Sequence, residues 1–387
     1  MQTPASSPIR VVAIDDSFAM RHMYQMILSP CADMDLIGMA SDGPSGLEMV
    51  HALNPDLVLL DVNMPGMDGM VVLSKLHEQI PHLPIIMCST LTQRGAAVTL
   101  EALYRGAADY VAKPNVQGTP QAAMEAFRAP LVERIRALGA RVQRGRIGEP
   151  SQSIPTRQLR RDPSPSGAIE VVLIGASTGG PQALEQVLRS LPADFPVPVV
   201  VVQHIPPMFV PLLAERLQKN CRLQICEAAE GTVLQAGMVW LARGDWHLRL
   251  VAVERWKRQG NSSTIQAVQR LSQDEPIHYC RPSVDALFLS AAETYKAAAL
   301  AVVLTGMGSD ATDGARAICA AGGTVLAQDA ATSTIWGMPG SVVQAGLAHA
   351  VLPLDQIAGE IVRRVCATTS MQKNIGLDTL DVPQRTP

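Results

Sequence analysis

Short apolar runs that each stop at a polar residue recur through the first third of the chain. Ile9–Ile14 ends at Asp15, Leu57–Leu60 at Asp61, Leu83–Cys88 at Ser89 and Tyr110–Ala112 at Lys113. Runs this short and this uniformly apolar predict strands buried on both faces of a parallel sheet. Phe18–Leu28, between the first two, has helical spacing. The alternation predicts an open α/β sheet, and ligands of such sheets bind at the carboxyl ends of the strands. The pattern returns in the second half. Glu170–Gly175 precedes Ser177, Val197–Val202 precedes Gln203-His204, and Ala299–Leu304 precedes a glycine-rich turn ending in Asp310. Between the halves, Met124, Phe127, Leu131, Ile135 and Leu138 recur at three to four residues and predict a helix over Gln121–Arg146. Gly148–Ala168 holds four prolines and four serines among few apolar residues, which predicts a flexible, solvated linker.

Composition and charge sharpen this division. A chain of 387 residues has room for two domains with separate cores. Hydrophobic content of 47% with only 4% aromatics suits Ala/Val/Leu/Ile packing in α/β sheets. Residues 1–120 carry 6 basic and 12 acidic side chains, net −6; residues 121–168 carry 9 and 4, net +5; residues 169–366 carry 15 and 17, net −2. The expected layout is a first domain over 8–120, a helical then flexible basic linker over 121–168, a second domain over 169–366 and a polar, poorly ordered tail over 367–387. A total charge of −3 supplies no basic field for nucleic acid. Seven scattered cysteines without a C-x-x-C pair suggest reduced thiols of a cytoplasmic protein. Neither a signal peptide nor an apolar run long enough to span a bilayer is present, so no direct membrane insertion is expected.

The strand-end residues carry chemistry. Asp15, Asp16 and Asp61 repel one another, and a hard cation such as Mg²⁺ would relieve that repulsion. Asp61 can then accept a phosphoryl group, with Lys113 as a point positive charge beside it. Pro114 fixes a turn, for which a cis bond is available. Singly, Asp15 and Asp16 would be read as helix caps and Lys113 as a surface lysine; their convergence at successive strand ends favours a site. In the second half, Gly175-Ala176-Ser177-Thr178-Gly179 fits G-x-S-x-G, followed by Pro181 in the first turn of a helix. Such a strand-to-helix turn exposes a hydroxyl near free backbone amides. Serine needs a positioned base, and His204 at the next strand end is the candidate. Asp310 can orient it, with Asp313 a competitor and helix capping the plain alternative. The chain order Ser, His, Asp differs from that of α/β-hydrolases.

Asp15-Asp16-Ser17, Asp61-Val62-Asn63-Met64-Pro65-Gly66-Met67-Asp68-Gly69, Ser89 and Ala112-Lys113-Pro114 resemble the receiver domain of response regulators. That resemblance implies a five-stranded flavodoxin-like sheet, Asp61 as phosphoacceptor, Mg²⁺ held by Asp16, Asp61 and the Asn63 carbonyl, and a switch pair at Ser89 and Tyr110. Ile174–Pro181, Gln203-His204, Arg281–Asp285, Leu304–Asp310 and Trp336–Gly340 resemble the chemotaxis protein-glutamate methylesterases, which are also receptor glutamine deamidases. This second resemblance implies a doubly wound, mainly parallel α/β hydrolase domain and a triad of Ser177, His204 and Asp310. It also implies oxyanion donors near Thr178 and Met307, with no cofactor for hydrolysis. The implied partners are methyl-accepting chemoreceptors as substrate and the chemotaxis histidine kinase as phosphodonor. The chain departs from the family at Ala242-Arg243-Gly244, at Val210 and at Ala311, where the family has Ala-Pro-Gly, threonine and glycine. A dinucleotide-binding oxidoreductase would need G-x-G-x-x-G and an acidic residue ending the next strand, where Gln203-His204 stands. A transcription factor would need a basic helix-turn-helix in the second half, which has none.

Overall fold

The computed structural model describes residues 7–90, 92–114, 120–147, 168–256 and 263–375, and the chain divides into two compact units, Met1–Ser153 and Ile154–Pro387. In the first unit the elements are β1 (Ile9–Ile14), α1 (Phe18–Leu28), β2 (Met34–Ala40), α2 (Gly43–Leu53), β3 (Leu57–Asp61), α3 (Gly69–Gln79), β4 (Ile85–Ser89), α4 (Gln93–Tyr104), β5 (Asp109–Ala112) and α5 (Pro120–Ile147). The strands form one sheet in the order β2-β1-β3-β4-β5, parallel throughout. Every residue of β3 and β4 is buried, as their uninterrupted apolar runs require. Four of the helices open on a side-chain cap: Ser17, Asp42, Asp68 and Thr92 each accept from an amide three residues on.

The helix expected in the connector is instead a layer of this unit. Phe127, Leu131, Val132, Ile135 and Leu138 of α5 are buried. Phe127 lies 6.1 Å from Tyr24, and Arg134 pairs with Asp109 at 3.0 Å. Five buried apolar side chains contribute of order 10 kcal/mol before entropy, enough to fold a helix back onto its sheet. Arg128 and Arg136 on it are exposed, and the basic composition of 121–168 made it look like a linker. The proline- and serine-rich stretch lies at 148–167, outside the described residues.

The second unit comprises β6 (Val171–Ala176), α6 (Gly180–Arg189), β7 (Val199–Gln203), α7 (Val210–Asn220), β8 (Gln224–Glu227), β9 (Met238–Leu241), β10 (His247–Trp256), β11 (Ser263–Ser272), α8 (Val284–Tyr295), β12 (Ala299–Val303), α9 (Thr312–Ala320), β13 (Thr324–Gln328), α10 (Met338–Gln344), β14 (Ala350–Leu352) and α11 (Leu354–Ile375). Seven strands form a parallel sheet in the order β14-β13-β12-β6-β7-β9-β8. Strands β12, β6 and β7 are adjacent and buried at every residue. Their carboxyl ends therefore bring together residues far apart in sequence. Strands β10 and β11 make a separate antiparallel hairpin, whose Leu248, Leu250 and Val268 are buried. Ser290 and Thr294 of α8 hydrogen-bond the backbone of Leu250 and hold the hairpin to that helix. Helix α11 continues to Ile375, beyond the expected start of the tail, while residues 376–387 lie outside the described part. No helix among the described residues is long and apolar enough to cross a membrane.

Candidate active site

Strand β6 delivers Ser177 and β7 delivers His204 to neighbouring positions. Ala176 pairs with Gln203, and the His204 amide donates to the Ala176 carbonyl at 3.0 Å. Gln203 braces both ends, its side-chain amide donating to the Ser177 and His204 carbonyls at 2.9 and 3.1 Å. The chain then turns sharply through Gly179, whose φ of +74° is left-handed and is cheap only for glycine. Helix α6 begins immediately after, so Ser177 stands at a helix N-terminus. Gly306 passes directly beside the serine. A Cβ there would lie 2.8 Å from the Ser177 Cβ, so any side chain would have to displace the serine.

Asp310, between β12 and α9, accepts five hydrogen bonds. His204 Nε2 lies 2.8 Å from its Oδ2, which also accepts from the Val284 amide at 2.7 Å. Its Oδ1 accepts from Ser283 Oγ at 2.9 Å, the Asp285 amide at 2.9 Å and the Ala311 amide at 3.1 Å. The carboxylate thus sits at the N-terminus of α8, whose first amides point at it. Burial alone would raise its pKa, but His204 and these amides outweigh burial and lower it to about 2. Asp313, the competing acid, is 66% exposed and lies 4.0 Å from His278, so Asp310 is the acid that meets His204.

The imidazole is held at both nitrogens. Burial opposes its protonation, but the bond to Asp310 and the Cys280 thiol, 3.6 Å from Nδ1, together raise its pKa to about 10. No hydrogen bond joins Ser177 Oγ to His204 among the described residues. Of the expected oxyanion donors, Met307 has an amide with no acceptor among the described residues, whereas the Ser177 amide is engaged by the Thr305 carbonyl at 3.0 Å. Thr178 is buried, its carbonyl bonded by Thr305 Oγ1 at 2.9 Å.

Four residues here escaped the sequence-based expectations. Cys280 and Ser283 touch His204 and Asp310. Thr305 ties the Ser177 turn to the Ile335 amide. His247 Nδ1 accepts from the Ser283 amide at 3.2 Å, and its Nε2 donates to the Glu275 carbonyl at 3.1 Å. Ser283 and Thr305 lie inside motifs already singled out, so their proximity to polar neighbours was a usable signal. Cys280 and His247 gave none. Asp285 is also buried, and its pKa rises to about 6 because burial and the nearby Asp310 charge oppose ionisation.

In the first unit the four strand ends converge as expected. Lys113 Nζ bridges Asp15 Oδ2 at 2.9 Å and Asp61 Oδ1 at 2.8 Å. Burial raises the Asp61 pKa, with Lys113 opposing. Tyr24, which carried no sequence signal, donates to Asp15 at 3.0 Å. The carboxylates of Asp15, Asp16 and Asp61 approach within 4.8 Å of one another, with Asp16 exposed. This oxygen-only set open to solvent on one side fits a hard divalent cation. The Asn63 amide donates to Asp61 at 3.3 Å. Ser89 is buried, its carbonyl accepting from the Lys113 amide at 2.8 Å, and the Tyr110 hydroxyl is raised in pKa by burial. The Lys113–Pro114 bond is trans; Arg281–Pro282 is the one cis peptide among the described residues.

Comparison with known proteins places both units. Residues 172–361 match the family described as CheB methylesterase, and residues 11–124 match the response regulator receiver domain. A protein-glutamate methylesterase/protein-glutamine glutaminase of Trichodesmium erythraeum is 42% identical over 92% of this chain and 99% of the relative. Proteins of the same description from Nocardioides sp. and Caulobacter vibrioides are 44% and 43% identical, each over 92% of this chain and over 95% and 99% of the relatives. With both domains matched in order and the relatives covered almost end to end, the chain belongs to the protein-glutamate methylesterase/protein-glutamine glutaminase family, a receiver domain followed by a CheB methylesterase domain.

Proposed function

We propose that Ser177, His204 and Asp310 form the hydrolytic triad of this enzyme, acting on γ-methyl esters of chemoreceptor glutamates and on some glutamine amides. The observation that carries it is the 2.8 Å His204–Asp310 contact at the end of β7, beside the Ser177 turn at the end of β6. Asp310 holds the ring through Nε2, so Nδ1 is the nitrogen left to take the serine proton. In the resting arrangement Nδ1 faces Cys280 and the ring favours its protonated form, which is no base. The working state therefore has Nδ1 released from Cys280 and turned to Ser177 Oγ; catalytic hydrogen bonds commonly tighten only when substrate is bound. Ser177 then attacks the side-chain carbonyl, and the proton passes through His204 to methanol or ammonia. Water, deprotonated by the same imidazole, releases the glutamate. The Met307 amide supplies one donor to the oxyanion, with the Thr178 amide as the second.

Regulation is assigned to the first unit. Asp61 accepts the phosphoryl group from the chemotaxis histidine kinase, and Lys113 neutralises the added charge. Asp16, Asp61 and the Asn63 carbonyl would hold Mg²⁺, which shields the acceptor carboxylate during transfer. Ser89 and Tyr110 respond to the new phosphate as the switch pair. The test is methanol release from methylated chemoreceptor membranes, with and without acetyl phosphate and Mg²⁺. Release that rises with the phosphodonor, is lost in Ser177→Ala and becomes unresponsive in Asp61→Asn supports the assignment. Release retained by Ser177→Ala would remove Ser177 as the nucleophile.

A further inference from the structure

The thiol against the active-site imidazole has a use beyond hydrolysis. We propose that His204 and Cys280 form a binding site for a thiophilic divalent cation, Zn²⁺ above all, whose occupancy silences the hydrolase. The silencing rests on the triad assignment; the site itself does not.

Three observations support it. His204, Cys280 and Asp310 each bring a ligand atom within 4.8 Å of the others. The Cys280 Sγ–His204 Nδ1 separation is 3.6 Å. A tetrahedral Zn²⁺ with Zn–S about 2.3 Å and Zn–N about 2.0–2.1 Å spaces a sulfur and a nitrogen by roughly that length. The ion needs no rearrangement of either side chain, only loss of the thiol proton and of any proton on Nδ1. Finally, Asp310 grips the opposite ring nitrogen. A carboxylate on the far nitrogen of a ligating histidine fixes the tautomer with its lone pair toward the metal and raises ligand basicity. Asp310 is itself fully occupied by α8 amides and Ser283, so it orients the ring rather than joining the metal.

With His204 and Cys280 as its two protein ligands, a tetrahedral ion keeps two positions for water. Such a site is open and binds reversibly, unlike a closed four-ligand structural site. Two other clusters differ in kind. Asp15, Asp16 and Asp61 offer only oxygen and belong to the phosphoryl site. His278, Asp285 and Asp313 lack a thiol, and His278 Nε2 already lies 3.2 Å from the Asp285 carboxyl. Bound metal on Nδ1 takes the lone pair that must receive the Ser177 proton, so inhibition follows from the geometry.

The test uses the full chain in excess Mg²⁺, which keeps the oxygen cluster filled. Co²⁺ as probe should give a thiolate-to-cobalt charge-transfer absorption at one equivalent. The band should persist in Ser177→Ala and vanish in Cys280→Ser. Zn²⁺ should displace the Co²⁺ and should protect Cys280 of the wild-type chain, among its seven cysteines, from iodoacetamide, read by peptide mass spectrometry; this arm needs no variant to fold. Zn²⁺ should also lower methanol release at least tenfold, reversibly with chelator, with Cys280→Ser at least tenfold less sensitive relative to its own metal-free rate. Absence of the cobalt band, or a band that survives Cys280→Ser, or alkylation of Cys280 unchanged by Zn²⁺, overturns the site. Binding without loss of methanol release overturns the silencing. A metal-free chain that releases no methanol, with the band intact, overturns the triad assignment and leaves the site standing.

Discussion

Asp310→Asn removes one charge and no volume, yet Asp310 has no tolerable place for an amide. All five of its partners donate. An NH₂ at the Oδ2 position meets the Val284 amide and His204 Nε2–H; at the Oδ1 position it meets the amides of Asp285 and Ala311. Either way two buried donors lose their acceptor, at about 1–3 kcal/mol each, so the expected loss is about 4 kcal/mol. The acidity gives an independent check. Moving this carboxyl from its ordinary 3.8 to about 2 corresponds to about 2 kcal/mol of stabilisation by charge. The larger displacement of His204, to about 10, includes a contribution from Cys280, so the Asp310 value is the one to count for the pair. The pH dependence has a defined sign. A depressed carboxyl stabilises above 3.8 and loses that stabilisation as pH falls toward 2. A raised imidazole stabilises below 6.5 and loses it as pH rises through about 10. The stability difference between wild type and variant is therefore widest between about pH 4 and 6.5 and narrows on both sides. Urea unfolding followed by tryptophan fluorescence isolates the catalytic unit, because Trp240, Trp246, Trp256 and Trp336 all lie there. Turnover should fall about 10³-fold or more as the ring loses its orientation. A variant within about 1 kcal/mol of wild type at pH 6 would refute the clamp.

Three further outcomes are expected. Lys113→Met strips the cation that bridges buried Asp15 and Asp61 and should cost about 3–5 kcal/mol, largely recovered by Mg²⁺; melting curves unaffected by the mutation would count against the acidic pocket. Gly306→Ala should push Ser177 out of line and lower kcat about 100-fold while unfolding stays cooperative, and an unchanged kcat would mean the serine has slack. Ala311 holds φ +95°, in the left-handed region that favours glycine. Relief of about 1–2 kcal/mol of strain in Ala311→Gly is offset by about 0.8 kcal/mol of lost methyl burial and by the added freedom of glycine in the unfolded chain. The denaturation midpoint should therefore barely move, and a gain above about 2 kcal/mol would show the strain to be larger.

Seven of the strands, and the polar residues at their ends, were legible in the sequence. A short, mostly apolar run bounded by turn signals fits a strand covered on both faces, and the polar residue that follows it marks the strand's carboxyl end. That is why Asp15, Asp61, Ser177 and His204 were all visible in one dimension. The β10–β11 hairpin was not, because one of its faces is wet and its pattern is broken by charged residues such as Arg249 and Arg270. Helix α5 was legible as a helix, but only packing decided that it covers the first sheet rather than linking the domains, since its apolar stripe does not say what it faces. The strand order did the rest. Placing β12 next to β6, which in turn pairs with β7, brings Asp310 across more than a hundred residues to His204, and His204 together with the amides of α8 lowers its pKa to about 2. Choosing Asp310 over Asp313, and pressing Cys280 against His204, depend on loop paths that no local pattern encodes. Local spacing fixes which groups stand at a strand end; which of them meet is decided by how the strands are laid side by side.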